Sequence, residues 1–339
     1  MAPKKKTDFL NIIISAVVAS SAVLFVWLYK QPRFQSIPVY IISAAFFALL
    51  IESVVLTALK GRNPLKRAVK IFLVLLINFF VFTGAVIYSF APAVILQPHT
   101  DEASYEALQS VAFAEEITFE YSDGEIYGWF YNIAGENAPT VLYFYGNYET
   151  AATRLLALTE NYEASAFNGC NFAVFDYPSY GKSDGRCTDE SILSFALAAY
   201  DNLSETTDNI IVLGYSLGTG PACYLAGKRD VHSLILYAPY ADSTDLYNNV
   251  IDIFHGPLEK LVAFNIDSKE SARAVTSPTL ILASETDELI PFSSSEILSE
   301  NFTGECTFMK TSAISHNQFL SDSFVREKTS EFIKAVTAE

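Results

Sequence analysis

The chain lacks the signatures of metal and redox chemistry. Its 339 residues include only four cysteines and four histidines. Cys170, Cys187, Cys223 and Cys306 fall at no C-x-x-C spacing, and His99, His232 and His255 do not cluster with carboxylates, so neither a zinc site nor a dithiol pair is written into the sequence. Cys170 opens an apolar run that reads as a strand, and Cys187 lies past its far end, too distant to bridge. A body of this size buries a core without disulfides. A Gly-rich phosphate loop is also missing. The expectation is a protein without metal or cofactor.

Basic charge is scarce where a nucleic-acid surface would need it. The formal net charge is −16, and it hides a division. Residues 1–91 carry 10 Lys and Arg against 2 acidic residues, whereas 92–339 carry 12 against 36. An acidic body repels nucleic acid and anionic surfaces. No nucleic-acid partner is expected.

What the N-terminal part has in abundance is apolar length. Runs 9–29, 39–59 and 71–91 are each 21 residues long, enough for a helix to cross about 30 Å of hydrocarbon. Asn11, Glu52 and Asn78 are their only strongly polar members. The runs predict three transmembrane helices and a bilayer as partner. The first run is too long for a signal-peptide core, and two more follow it. Lys4, Lys5 and Lys6 precede the first span, and Lys60, Arg62, Lys66, Arg67 and Lys70 lie between the second and third. The positive-inside rule therefore predicts a cytoplasmic N-terminus. Three spans then place the following domain outside the cytoplasm: periplasmic, extracellular or lumenal. Residues 92–114 read as a linker, with a short helix between 101 and 114.

The rest of the chain, 115–339, reads as one α/β domain. Ser122-Asp123-Gly124 separates two alternating runs, a hairpin signal. After it, short apolar strands alternate with helical stretches. Helices are expected at 151–166, 189–203, 217–228, 293–300 and 323–336. Such alternation predicts a mostly parallel sheet with helices on both faces.

Within that alternation, Gly214-Tyr215-Ser216-Leu217-Gly218 follows the apolar run Ile210-Ile211-Val212-Leu213 and opens a helix. A serine on a sharp strand-to-helix turn, flanked by glycines, is a nucleophile elbow. Asp287 follows the strand 279–283, and His316 follows the strand 307–310. Serine, acid and histidine therefore occur in the chain order of this fold, each past the C-terminal end of a strand, where open α/β sheets carry their sites. A serine hydroxyl needs a base, supplied here by His316, and an acid to orient that base, supplied by Asp287. Glu285 is the rival acid, closer to the strand end. One oxyanion donor is expected from the backbone N–H of Leu217, and the other from the loop after strand 140–144.

The run Val141-Leu142-Tyr143-Phe144-Tyr145-Gly146-Asn147 resembles the strand-His-Gly-Asn segment of the Bem46-like α/β hydrolases. Phe175-Asp176-Tyr177-Pro178-Ser179-Tyr180-Gly181-Lys182-Ser183-Asp184-Gly185 is similar to their D-Y-R-G-Y-G-K-S-x-G segment. The resemblance spans about 115–335. It implies an α/β-hydrolase fold of eight strands with the second antiparallel, and the N–H of Asn147 as second oxyanion donor. Two positions depart from the pattern. Tyr145 stands where histidine is usual, and Pro178-Ser179 where Arg-Gly is usual.

Residues 240–276 interrupt the alternation where lids are inserted. Val250, Ile251, Ile253, Phe254, Leu258, Leu261, Val262 and Phe264 recur at helical spacing and predict one or two helices over the site. Tyr145, Tyr148, Tyr215 and Tyr240 are the expected substrate-binding side chains. The sequence thus predicts a membrane-anchored serine hydrolase acting on an ester or thioester, with a small-molecule, lipid or acylated substrate. A serine peptidase on the same fold, or a catalytically silent member serving as a membrane binding module, are the alternatives.

Overall fold

In the computed structural model, the described residues are 95–338, apart from 263, 312 and 313, together with isolated positions between 51 and 92. The predicted span 9–29 lies outside the described residues, as do 39–59 except Ile51 and most of 71–91. Among the described residues no helix is long and apolar enough to cross a membrane. The chain divides into two units, Met1–Ala93 with Lys260–Ala263, and Val94–Glu259 with Phe264–Glu339.

The second unit is built around five strands that bury every side chain. β3 (Thr140–Phe144), β4 (Asn171–Phe175), β5 (Ile210–Tyr215), β6 (Ser233–Tyr237) and β7 (Thr279–Ser284) are buried along their whole lengths. Strands covered on both faces need continuous apolar runs, and these have them. β1 (Ala114–Tyr121) is partly exposed. It forms the predicted hairpin with β2 (Gly124–Tyr131), where Gly124 takes φ +131°. β8 (Cys306–Thr311) closes the far edge. The order is β1-β2-β4-β3-β5-β6-β7-β8. β2 runs antiparallel to both neighbours, and all other pairings are parallel.

Most of the described α-helices start where side chains satisfy their free N–H groups. α1 (Glu102–Leu108) is the helix expected between 101 and 114, capped by Asp101. α2 (Ala151–Glu160) and α3 (Asp189–Leu203) begin with capping boxes on Thr150 and Thr188. α4 (Thr219–Ala226) follows a single 3-10 turn, Ser216–Gly218. α8 (Ser323–Thr337) is capped by Asp322. The helix expected to reach 166 stops at Glu160, because Asn161 leaves helical geometry and a 3-10 turn, Tyr162–Ala164, follows.

The interruption before β7 folds as three short pieces: α5 (Ser243–Val250), a 3-10 segment Gly256–Leu261 and α6 (Ser268–Ala272). Among the described residues no α-helix runs through 251–264. Gly256, with φ +57°, and Pro257 break the periodicity there. α7 (Phe292–Ser299) then packs beside β7 and β8. The chain leaves β3 toward β4 on one side and returns to β5 on the other. The loops after β3 and β5 therefore flank a topological switch point, the crevice where such sheets bind ligands.

Candidate active site

Ser216 sits on a strained turn. Its φ is +52°, a value that costs a residue with a Cβ about 1–3 kcal/mol. The glycines make the turn possible. A Cβ on Gly214 would stand 2.8 Å from the Ala222 Cβ, and one on Gly218 would collide with the carbonyl of Phe144. The helix start therefore lies hard against the end of β3, and Ser216 is lifted clear of the sheet.

The structure brings the three predicted residues together. His316 Nε2 lies 2.8 Å from Ser216 Oγ. His316 Nδ1 lies 2.8 and 3.0 Å from the two Asp287 oxygens. Both side chains are almost wholly buried, at 4% and 2% exposure. The backbone N–H groups of Leu289 and Ile290 each donate to Asp287 Oδ1 at 2.8 Å, fixing the carboxylate. Glu285, the rival acid, instead pairs with Lys310 at the surface.

His316 is held by more than its acid. Tyr215 OH donates to the His316 carbonyl at 2.7 Å, and the two rings stack with centroids 5.4 Å apart. Burial pushes the Tyr215 phenol well up, so it remains a donor. The His316 N–H donates to Glu288 Oε2 at 3.1 Å. Ser284 Oγ and Thr286 Oγ1 both donate to the Ile314 carbonyl, tying the histidine loop to the end of β7.

The loop after β3 is fixed from two directions. Glu149 Oε2 accepts the Gly146 N–H at 3.1 Å, and Glu149 pairs with Arg154 on α2. On the other side, Asn147 Oδ1 accepts the Gln97 N–H at 3.0 Å and the Tyr180 hydroxyl at 2.9 Å. Among the described residues the Asn147 N–H itself has no acceptor. Leu217, in the first turn of its helix, has an N–H without an intrahelical acceptor. Two free backbone donors on the loops that flank Ser216 are the kind of group that stabilises a tetrahedral oxyanion.

Of the four predicted substrate-binding tyrosines, two do not reach the cavity. Tyr145 is fully buried. Its hydroxyl donates to Asp176 and accepts the Tyr177 N–H, and its carbonyl accepts the Tyr177 hydroxyl. Tyr240 is also fully buried, with its hydroxyl bonded to the Leu217 carbonyl. Both are packing residues beneath the loops. Tyr148 and Tyr215 do line the cavity. It measures about 790 Å³ and runs from Ser216 and His316 down between α2 and α8, past Phe167, Leu213, Tyr237 and Val325. That lies within the roughly 300–1,000 Å³ typical of small-molecule sites.

Below the loop, Asp176 lies buried at the end of β4. It accepts the Ala151 N–H at 2.7 Å and the Tyr145 hydroxyl. Burial pushes its carboxyl up to about 7, against the pull of the Ala151 and Lys182 N–H groups and the Lys182 charge. Glu149, Arg154, Gln97 and Tyr215 as a histidine support were not found from sequence. They act through contacts that are long-range or set by loop shape, and no periodicity marks them. Among the described residues no group of three or more His, Cys, Asp or Glu could hold a metal, and none of the four cysteines is in a disulfide.

No protein-family model matches the chain. An uncharacterised protein of Mycobacterium tuberculosis is 27% identical over 210 residues, covering 60% of this chain and 72% of the relative. An α/β hydrolase domain-containing protein 17C of Xenopus tropicalis is 28% identical over 226 residues, covering 60% and 69%. Among solved structures, an α/β hydrolase from Vibrio vulnificus superposes with a TM-score of 0.57 at 17% identity, covering 82% of this chain and 95% of that one. A Pyrococcus furiosus esterase gives 0.57 at 16% identity, covering 71% and 96%. The sheet order, the serine elbow and these likenesses together make the chain a protein of the α/β-hydrolase fold.

Proposed function

We propose that the chain is a membrane-anchored serine hydrolase that cleaves an ester or thioester through an acyl-enzyme on Ser216. The observation that carries this reading is the hydrogen-bonded line Asp287–His316–Ser216, with both links at 2.8 Å. His316 Nε2 takes the Oγ proton as Oγ attacks the carbonyl carbon. The carbonyl oxygen, now negative, accepts the N–H groups of Leu217 and Asn147. Asp287 keeps Nδ1 protonated and stabilises the imidazolium. Collapse of the intermediate expels an alkoxide or thiolate, which takes the proton from His316. Water then repeats the sequence and frees the acid.

An apolar cavity floor suits an acyl chain better than a charged peptide, which supports the acyl-ester form of the reaction. The three apolar runs support the anchor. The described positions within 71–91 are helical, and Phe72, Leu73, Leu76, Phe79 and Phe80 are exposed there. The lysine and arginine distribution supports a domain outside the cytoplasm.

The test is fluorophosphonate labelling of the full chain in detergent. Wild type labels, Ser216→Ala does not, and His316→Ala labels at a rate lower by two orders of magnitude or more. A folded wild type that takes no label overturns the reading.

A further inference from the structure

The apolar side chains of the lid do not cover the site. Of those expected to pack inward, Phe254, Val262 and Phe264 are buried, but Val250, Ile251, Ile253 and Leu258 are exposed, Val250 and Ile251 at 56%. Tyr148, on the loop after β3, is 71% exposed, and Leu289, on the loop after Asp287, is exposed as well. Tyr148, Val250 and Leu289 line the catalytic cavity. The lid and the acid loop are joined there, since Asn249 Nδ2 donates to the Glu288 carbonyl. Three separate segments thus place large apolar groups around one opening. An exposed patch of this kind marks a contact surface.

We propose that this rim docks on an uncharged lipid surface, so that the cavity opens directly onto the bilayer. The proposal rests on the anchored-hydrolase reading above. The anchor makes a bilayer the one extended apolar surface this chain always meets. The cavity lining also includes Ile95 and Gln97, from the segment that joins the domain to the third apolar run. Tyr148 has the amphipathic shape that settles at membrane interfaces. Charge decides the kind of lipid. Residues 92–339 hold three times as many acidic as basic side chains. On the rim itself Asp252 pairs with His255, and Glu288 is engaged by the His316 N–H. No cationic cluster is present among the described rim residues to offset repulsion from anionic headgroups, so a zwitterionic surface is the partner. A substrate whose acyl chain resides in the bilayer then enters the cavity without crossing water.

The experiment uses the full chain in phosphatidylcholine proteoliposomes, with the environment-sensitive fluorophore NBD attached at Ile251→Cys. The control is Asp208→Cys, an exposed position just before β5, at the sheet edge opposite Ser216. Burial pushes the native thiols up, to about 11 for Cys170 and Cys306 and about 12 for Cys187, and further for Cys223, so near neutral pH the introduced thiol reacts first. Doxyl-labelled lipid is expected to quench NBD at 251 at least twofold and leave 208 unchanged. Replacing a third of the lipid with phosphatidylserine is expected to reduce that quenching, and added salt to restore it. Equal quenching at both positions, or none at either, overturns the proposal. Blue-shifted emission at 251 without lipid quenching means that protein covers the rim, and also overturns it. In a second arm, Ile251→Asp with Ile253→Asp is expected to keep the wild-type rate on a short water-soluble ester. The same variant is expected to lose about tenfold on a long-chain ester held in vesicles; equal rates on both overturn the proposal. Flotation and fluorophosphonate labelling are read on the same samples. Failure to float overturns the anchor and this proposal with it. Failure to label overturns the serine mechanism alone, because quenching needs no turnover.

Discussion

Replacing Glu149 tests whether the loop after β3 is held ready for an oxyanion. Its carboxylate accepts the Gly146 N–H at 3.1 Å and pairs with Arg154, and the next residue along the loop, Asn147, carries the proposed second oxyanion donor. A hydrogen bond to a charged group contributes about 1.5–3 kcal/mol. If all of it goes into placing the Asn147 N–H, Glu149→Ala lowers kcat by roughly 10- to 150-fold, at about 1.4 kcal/mol per decade. Loss of a whole oxyanion donor costs about 10²–10³. The smaller figure is expected, because Gln97 and Tyr180 still hold the Asn147 side chain. Glu149→Gln keeps a neutral acceptor for Gly146 and loses the ion pair, so its kcat falls by less than that of Glu149→Ala. Arg154→Ala leaves the Gly146 bond intact and has the smallest effect of the three. KM stays within about twofold throughout, since the donor acts on the transition state rather than on the bound ester. The assay is steady-state hydrolysis of a short activated ester, with melting temperature as the check on folding. A kcat for Glu149→Ala within twofold of wild type, at unchanged melting temperature, refutes the argument that this clamp sets the loop.

Two further outcomes follow from the buried groups. Tyr215→Phe keeps the ring stacked on His316 but leaves the His316 carbonyl without its 2.7 Å donor; kcat is expected to fall by about three- to tenfold, from a net hydrogen bond of about 0.5–1.5 kcal/mol, while an unchanged kcat would assign the support to stacking alone. Asp176 has its carboxyl pushed up from 3.8 to about 7 by burial, so between those values the folded chain holds a proton that the unfolded chain has lost. Stability from this group is therefore complete below about pH 4 and declines as pH rises to about 7, by up to about 4 kcal/mol. Thermal melts at pH 5 and pH 8 are expected to show wild type losing stability at the higher pH. Asp176→Asn, which stays neutral and still offers an acceptor to the Ala151 N–H, loses less. Identical pH profiles for the two proteins would remove Asp176 as the cause.

The parts of this molecule legible in its sequence are those in which local chain geometry and chemistry coincide. The turn that carries Ser216 is legible because a φ of +52° needs Gly214 and Gly218 beside it, and the glycines are visible. Asp287 is legible because it follows β7, whose unbroken apolar run marks burial on both faces, whereas His316 follows the half-exposed edge strand β8 and is legible only from its place in the chain order. Tyr145 and Tyr240 were misplaced for the converse reason. A tyrosine next to a site has the same letter whether its hydroxyl faces the substrate or, as here, Asp176 or the Leu217 carbonyl. The clamps on the oxyanion loop join residues that no period relates: Gln97 to Asn147 across 50 positions, and Tyr180 to Asn147 across 33. The lid shows the limit of periodicity most plainly. Its apolar spacing suggested helices with a buried face, but Gly256 and Pro257 break the chain and leave Ile251, Ile253 and Leu258 in the open. Spacing reports which side chains avoid water and not what they avoid it with. In a chain that carries three apolar runs ahead of its catalytic domain, the same pattern fits a lipid surface as well as a protein core, and only the exposure of the rim separates the two.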